Sequence, residues 1–239
     1  MTDRVVDPVR IAALGDLHIR TSVPGHFRED LITLNGQVDA VMIAGDITES
    51  GRIPEVEAAS RVLSSVRAPM FGVLGNHDRR GLRRRLEAAG LVLLDGDAVV
   101  HELPDGRRLG VAGVSGTGGG FFLGTGDEEP LIGNRIRQAV AVKARREAER
   151  LRRALASLAG QQPDVTVVVT HFSPTLSTLG DEPPLKYWML GNSLLGEIID
   201  EASVDLVVHG HAHIGNIAGE TPGGTPVRNV AMPVAGGIV

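Results

Sequence analysis

Seven side chains able to hold a metal ion stand in five short clusters: Asp16 with His18, Asp46, Asn76, His171, and His211 with His213. Each cluster closes an apolar run, at residues 9–14, 39–44, 70–74, 165–170 and 204–208. Carboxylate, amide oxygen and imidazole are hard to borderline donors. Seven of them are too many for one ion. They suit two ions in five- or six-coordination, with one carboxylate bridging and water filling the gaps. Paired ions ~3.5–4 Å apart acidify a water and clamp both oxygens of an in-line displacement. Attack on phosphorus most needs this, because anionic oxygens gain further charge in the transition state. In extended backbone, residues i and i+2 point the same way, so Asp16 with His18, and His211 with His213, are expected to reach one ion together. A glycine precedes four of the clusters (Gly15, Gly45, Gly75, Gly210) and allows tight turns at crowded strand ends.

For the clusters to meet, the apolar runs must be strands whose carboxyl ends share one edge, where ligands of α/β sheets sit. Helical spacing separates them. It runs over 53–66 through Val56, Ala59, Leu63 and Val66, and over 82–89 before a stop at Gly90. It returns over 132–158, through Ile136, Val140, Ala144, Ala148, Leu151, Leu155 and Leu158, and over 194–202. A hairpin is expected from 98–103 and 109–114 around Pro104-Asp105-Gly106, and a last one near Pro222-Gly223-Gly224. The glycine-rich stretch 115–126 reads as a lid-like loop near the site; Thr117-Gly118-Gly119-Gly120 lacks the lysine and helix register of a P-loop. The expected fold is α/β: two sheets packed face to face as a sandwich flanked by helices, in a single domain over residues 1–239.

Composition narrows the chemistry. The 239 residues are 42% hydrophobic and 22% charged, a balance suited to a globular protein with a substantial core. Aromatics are only 3%, so aliphatic residues must fill that core. With no cysteine, thiolate metal sites and disulfides are excluded. The start Met1-Thr2-Asp3-Arg4 has no apolar leader and no run is long enough to cross a bilayer, so a cytoplasmic protein without membrane association is expected. A net charge of −5 speaks against a chain basic all over. The arginines of 135–153 alternate with Glu147 and Glu149, as on a solvated helix rather than a nucleic-acid groove.

Asp16-Leu17-His18, Gly45-Asp46, Gly75-Asn76-His77-Asp78, His171 and Gly210-His211-Ala212-His213 resemble, in order, the five motifs of the calcineurin-like metallophosphoesterase family. The resemblance runs from residue 15 to residue 213. It implies a dinuclear site in which Asp16, His18 and His213 hold one divalent ion, Asn76, His171 and His211 hold the other, and Asp46 bridges. Manganese, iron, zinc, cobalt and nickel all suit such donors. It implies a metal-bridging hydroxide that attacks phosphorus, and a catalytic His77 that assists the leaving oxygen. The motif set is similar to that of compact bacterial phosphodiesterases, so a small-molecule phosphate diester, a nucleotide among the candidates, is the expected substrate. A monoesterase or pyrophosphatase on the same metals is the alternative, and a non-catalytic scaffold a more distant one, since every expected ligand is present. Two departures stand out. Glu49 occupies a position where many relatives carry aspartate, and no tyrosine follows the bridging Asp46, so a purple ferric–tyrosinate centre is not expected.

Other residues have ordinary readings beside functional ones. Arg79 and Arg80 follow the Asn76-His77 motif and are candidates to bind substrate phosphate; Arg83, Arg84 and Arg85 read as a solvated helical face. His26, in the loop after the first cluster, is either a substrate contact or a solvated loop histidine. His101 is expected on the surface, and His209 in a structural or supporting role. Tyr187 and Trp188, in a proline-rich stretch, either stack a ring or plug the core.

Overall fold

All five residues of the strand Ala40–Ala44 are apolar and buried, so protein covers that strand on both faces. The computed structural model describes residues 7–121, 134–183 and 186–239, and in it this pattern recurs through two sheets. The first is four parallel strands in sequence order: β1 (Ile11–Leu14), β2 (Ala40–Ala44), β3 (Met70–Val73) and β4 (Leu91–Leu93). The second is mixed, in the order β5 (Asp97–Glu102), β6 (Arg108–Val114), β7 (Val165–Thr170), β8 (Leu206–His209), β10 (Pro226–Asn229), β9 (Ala218–Glu220). Its inner strands are parallel, and the antiparallel β5 and β9 form the two edges.

The helices are α1 (Gly25–Thr33), α2 (Ile53–Leu63), α3 (Arg83–Glu87), α4 (Asn134–Gln161), α5 (Tyr187–Leu190), α6 (Ser193–Asp200) and α7 (Met232–Ala235). Side-chain alternation along the strands sorts the core into layers. Leu14, Val41 and Ile43 pack outward against Val56, Ala59 and Leu63 of α2 and Leu31 of α1. Met42, Phe71 and Val73 face the opposite way and meet Leu109, Val111, Val167 and Val169 of the second sheet. Ala112, Val114 and Val168 then pack outward under Leu151, Leu155 and Leu158 of α4 and Leu195, Ile198 and Ile199 of α6. The result is the expected sandwich of two sheets between helical layers. Among the described residues, no helix is long and apolar enough to cross a membrane.

Both expected hairpins form, β5–β6 and β9–β10. Residues 132 and 133 of the expected long helix, and 122–126 of the expected loop, lie outside the described residues. Three elements had weak sequence signals. α1 buries only Phe27 and Leu31, one helical turn apart, and its remaining positions are polar or partly exposed. β4 is three residues long, and α7 is one turn begun at Met232-Pro233. α1 corrects one expectation directly, because His26 lies in its first turn and not in a loop.

Met42 is fully buried between the sheets. Met42→Ala is expected to lower stability by about 2–5 kcal/mol, seen as a lower urea midpoint with unchanged slope. An unshifted midpoint would mean that the sheets do not close on this side chain.

Candidate functional site

The carboxyl ends of β1, β2 and β3 in one sheet meet those of β7 and β8 in the other. The segment after β1 runs beside the one after β2: the N–H groups of Asp16, His18 and Ile19 donate to the carbonyls of Gly45, Asp46 and Ile47, each at 3.0 Å. The backbone there is not extended. Asp16, His18, Asp46 and His211 all have positive φ, at 54°, 44°, 48° and 68°. Among the described residues the only other non-glycine with positive φ is Gln162, just past α4. The expectation that i and i+2 converge along extended chain is therefore corrected. Asp16 and His18 converge through left-handed backbone, a conformation costing on the order of 1–3 kcal/mol per residue and kept where surrounding structure enforces it. Two glycines make room for the carboxylates. A Cβ on Gly75 would overlap Asp46 Oδ1, and a Cβ on Gly210 would overlap Asp16 Oδ2.

The structure brings all seven candidate ligands together. His213 Nε2 lies 2.8 Å from Asp16 Oδ1, and the His211 N–H donates to Asp16 Oδ2 at 2.8 Å. Asp46 sits between the two halves, its Oδ2 3.8 Å from His18 Nε2 and 3.5 Å from His171 Nε2. His171 Nδ1 bonds the Ala44 carbonyl at 2.9 Å, which turns Nε2 to within 2.9 Å of Asn76 Oδ1. Fixing the far ring nitrogen in this way orients a metal-binding imidazole. Donor atoms of Asp16, His18 and His213, and of Asp46, His171 and His211, are each close enough to share an ion; so are those of His18, Asp46 and His77.

The electrostatics fit a cation. Asp16 and Asp46 are 3% and 1% exposed. His18 Nε2 is buried and has no hydrogen-bond partner among the described residues, 4.0 Å from Asp16 Oδ1 and 3.8 Å from Asp46 Oδ2. Those gaps exceed a hydrogen bond and leave room for an ion, whose bonds to such donors are ~2.0–2.2 Å. Burial pushes the Asp46 carboxyl above its ordinary value, against the pull of His171. Burial also acts on Asp16, but the His213 hydrogen bond and the charge of His171 outweigh it and hold that carboxyl below the usual range. Burial, then His171 alongside, pushes His211 down to about 3, so its ring is neutral near pH 7, the form that binds a metal.

A supporting layer surrounds the donors. Asp78 accepts from the N–H groups of Ile47, Thr48 and Gly75 and from the Thr48 hydroxyl, at 2.7–3.1 Å. It thereby ties the loop after β3 to the loop after β2. His77 donates its N–H to Asp46 Oδ1 at 2.8 Å, while its Nδ1 bonds the Glu49 carbonyl at 2.7 Å. The Glu49 carboxylate faces His18 Nδ1 at 3.7 Å and Arg20 at 3.6 Å, so Glu49 meets His18 with its side chain and His77 with its carbonyl. Glu182, buried, accepts from Gly180 N–H at 2.6 Å and from Ile214 N–H, next to His213, at 3.3 Å. Sequence reasoning missed Glu182, because an acid in a proline-rich stretch carries no periodic signal. The role of Asp78 was open to inference from its place in the Gly75–Asp78 motif.

The remaining residues divide. His26 is exposed and lines a cavity that His18 also borders. Arg80 reaches to Asp95 at 3.5 Å, while Arg79 packs beside Gly51. His209 is fully buried, bonded to Thr178 Oγ1 and the Gly210 carbonyl at 2.8 Å each, and held by burial down to about 4. His101, expected on the surface, is half-buried with its ring edge-on to Phe71. Tyr187, half-buried, packs against the small cluster of Phe121, Leu179 and Ala212 and donates its hydroxyl to the Gly180 carbonyl, which fits the packing role. In α4, Arg150 pairs with Asp95 and Glu147, and Arg152 with Glu201, as on a solvated helix.

Asp78→Ala removes four hydrogen bonds that fix the loops without touching a candidate ligand atom. It is expected to weaken metal retention by about 10–100-fold, measured by metal titration of stripped protein. Unchanged affinity would mean that the two loops hold their positions without it.

Three comparisons bear on identity. The family model for calcineurin-like phosphoesterase matches residues 9–215. No curated protein matches the chain. Among solved structures, one aligns over 93% of this chain and 90% of its own at a TM-score of 0.61 and 14% identity. A putative 5′-nucleotidase from Staphylococcus aureus aligns over 92% of this chain at TM-score 0.57 and 17% identity, and this chain spans 48% of its length. A hypothetical protein from Thermus thermophilus aligns over 92% of this chain and 75% of its own, at 0.54 and 18%. At these identities the structures speak for the fold alone. The family model carries the rest: its match runs through every strand-end cluster from Asp16 to His213, and the chain belongs to the calcineurin-like phosphoesterase family, as a metal-dependent hydrolase of phosphoric esters.

Proposed function

We propose that the chain is a phosphodiesterase that works with two divalent ions, of the manganese, iron or zinc kind. Asp16, His18 and His213 hold one ion in this reading, Asn76, His171 and His211 the other, and Asp46 both. The observation that carries it is the pair of buried carboxylates facing His18 Nε2, itself buried and unpartnered among the described residues. When bound, the ions supply an acidified water as nucleophile and neutralise the phosphoryl oxygens. His77 presents Nε2 to the substrate, because Nδ1 is engaged by the Glu49 carbonyl. An imidazole so fixed suits protonation of the leaving oxygen. Gly75 and Gly210 keep the carboxylates in place, and Asp78 and Glu49 hold the loops. Residues 1–239 act in this reading as one domain, in the cytoplasm, on a small phosphate ester such as a nucleotide.

Diester preference is supported by the surrounding charge. Arg20 faces Glu49 and Arg80 faces Asp95, which leaves Arg79, of these three, without a carboxylate partner among the described residues. A monoester dianion brings one more negative charge than a diester and calls for more cationic partners. The monoester reading is kept because the putative 5′-nucleotidase shares the fold.

Asp46→Asn is expected to lower metal content and activity together, by metal analysis and hydrolysis assay; full metal with full rate would remove the two-ion reading. His77→Ala is expected to slow turnover by roughly 10²–10⁴-fold with metal content unchanged. Loss of one metal equivalent would make His77 a ligand, a role its closeness to His18 and Asp46 permits. On metal-stripped protein with manganese restored, bis-p-nitrophenyl phosphate is expected to be cleaved faster than p-nitrophenyl phosphate. The reverse order would establish the monoesterase.

A further inference from the structure

Beside His18 lies a cavity of about 520 Å³. Its wall is apolar, with Val23, Phe27 and Met232 packed on the helix-side core of the first sheet. Exposed Arg20, Ser22 and His26 supply its polar groups. An apolar wall with a few polar groups, at this volume, is the usual make-up of a small-molecule site. One border is His18 itself, whose Nε2 lies between the two buried carboxylates. A phosphorus atom at the metal donors therefore has an ester substituent within reach of this cavity.

We propose that the cavity holds the heteroaromatic ring of the substrate's ester group, a nucleobase in class; this rests on the phosphoester reading above. Two features favour such a ring over an alkyl chain. The first turn of α1 borders the cavity, has Pro24 as N-cap, and carries no side-chain cap and no acidic residue, so its N–H groups are offered to acceptor atoms. Arg20, its charge paired with Glu49 at 3.6 Å, still has further N–H donors and a flat guanidinium face that can stack. Ring nitrogens and carbonyls meet these donors, and an alkyl chain has nothing to give them. His26, a substrate candidate from the sequence, acts in this proposal on the ring and not on the phosphate.

The test is calorimetric binding to the manganese-loaded full chain, with four probes: inorganic phosphate, ribose 5-phosphate, adenosine 5′-phosphate and n-octyl phosphate. The expected result is adenosine 5′-phosphate binding at least about tenfold tighter than ribose 5-phosphate. That ratio is expected to fall towards one in Ser22→Trp, an exposed substitution that fills the cavity, and to drop in His26→Ala. A ratio near one in the unaltered chain, while phosphate binds only when metal is present, overturns the ring site and leaves the metal reading standing. A ratio that survives Ser22→Trp places the ring elsewhere. Octyl phosphate binding tighter than adenosine 5′-phosphate replaces the ring by an alkyl chain. Failure of all four probes to bind overturns the ring site, while the phosphodiester reading then stands or falls by the bis-p-nitrophenyl phosphate assay.

Discussion

Asp16 and Asp46 are carboxylates withdrawn from water at the junction of two sheets, and the rest of the site is arranged around keeping them ionised there. Burial works against both charges. Four imidazoles, an amide and a ring of backbone N–H groups surround them, yet none of these neutralises the pair unless a proton or a cation joins. That requirement links the local oddities: left-handed backbone at the ligand positions, glycines where a Cβ would strike a carboxylate, and a histidine nitrogen left buried and unpaired. Each would be a defect in an ordinary core. Together they describe a place prepared for positive charge.

The acids that do not face the metal donors are equally telling. Asp78 collects donors from two loops, Glu49 touches His18 with its side chain and His77 with its carbonyl, and Glu182 holds the peptide beside His213. They lock the rotamers and loop positions on which donor spacing depends, since outer partners of metal ligands hold the ligands in orientation. The Glu49 side chain is long enough to bring its carboxylate to 3.7 Å from His18 Nδ1.

Much of this was legible in the sequence, for a physical reason. Strands covered on both faces must be apolar throughout, so each strand stands out as a run, and the polar residues that close it are conspicuous. The five clusters and the two-sheet fold follow from that contrast. Less legible were elements held by few apolar contacts. α1 rests on Phe27 and Leu31, β4 on three residues, and α7 on a single turn. The extended-chain argument for Asp16 and His18 reached the right neighbours through the wrong backbone, because alternation is a rule for strands and these residues have already left theirs. Supporting contacts such as Glu182 to Ile214 arise from tertiary approach and leave no periodic mark.

The hydrogen bonds from His211 and His213 to Asp16 close loops of 195 and 197 residues. A nascent chain that has completed the first sheet still lacks the imidazoles that face its buried aspartate, since they follow the fourth strand of the second sheet. The site therefore comes into being only when strands of both sheets are in place and the chain has passed His213. A polypeptide that stops short of those histidines, however well its amino-terminal half has folded, has the buried aspartates without the imidazoles that face them.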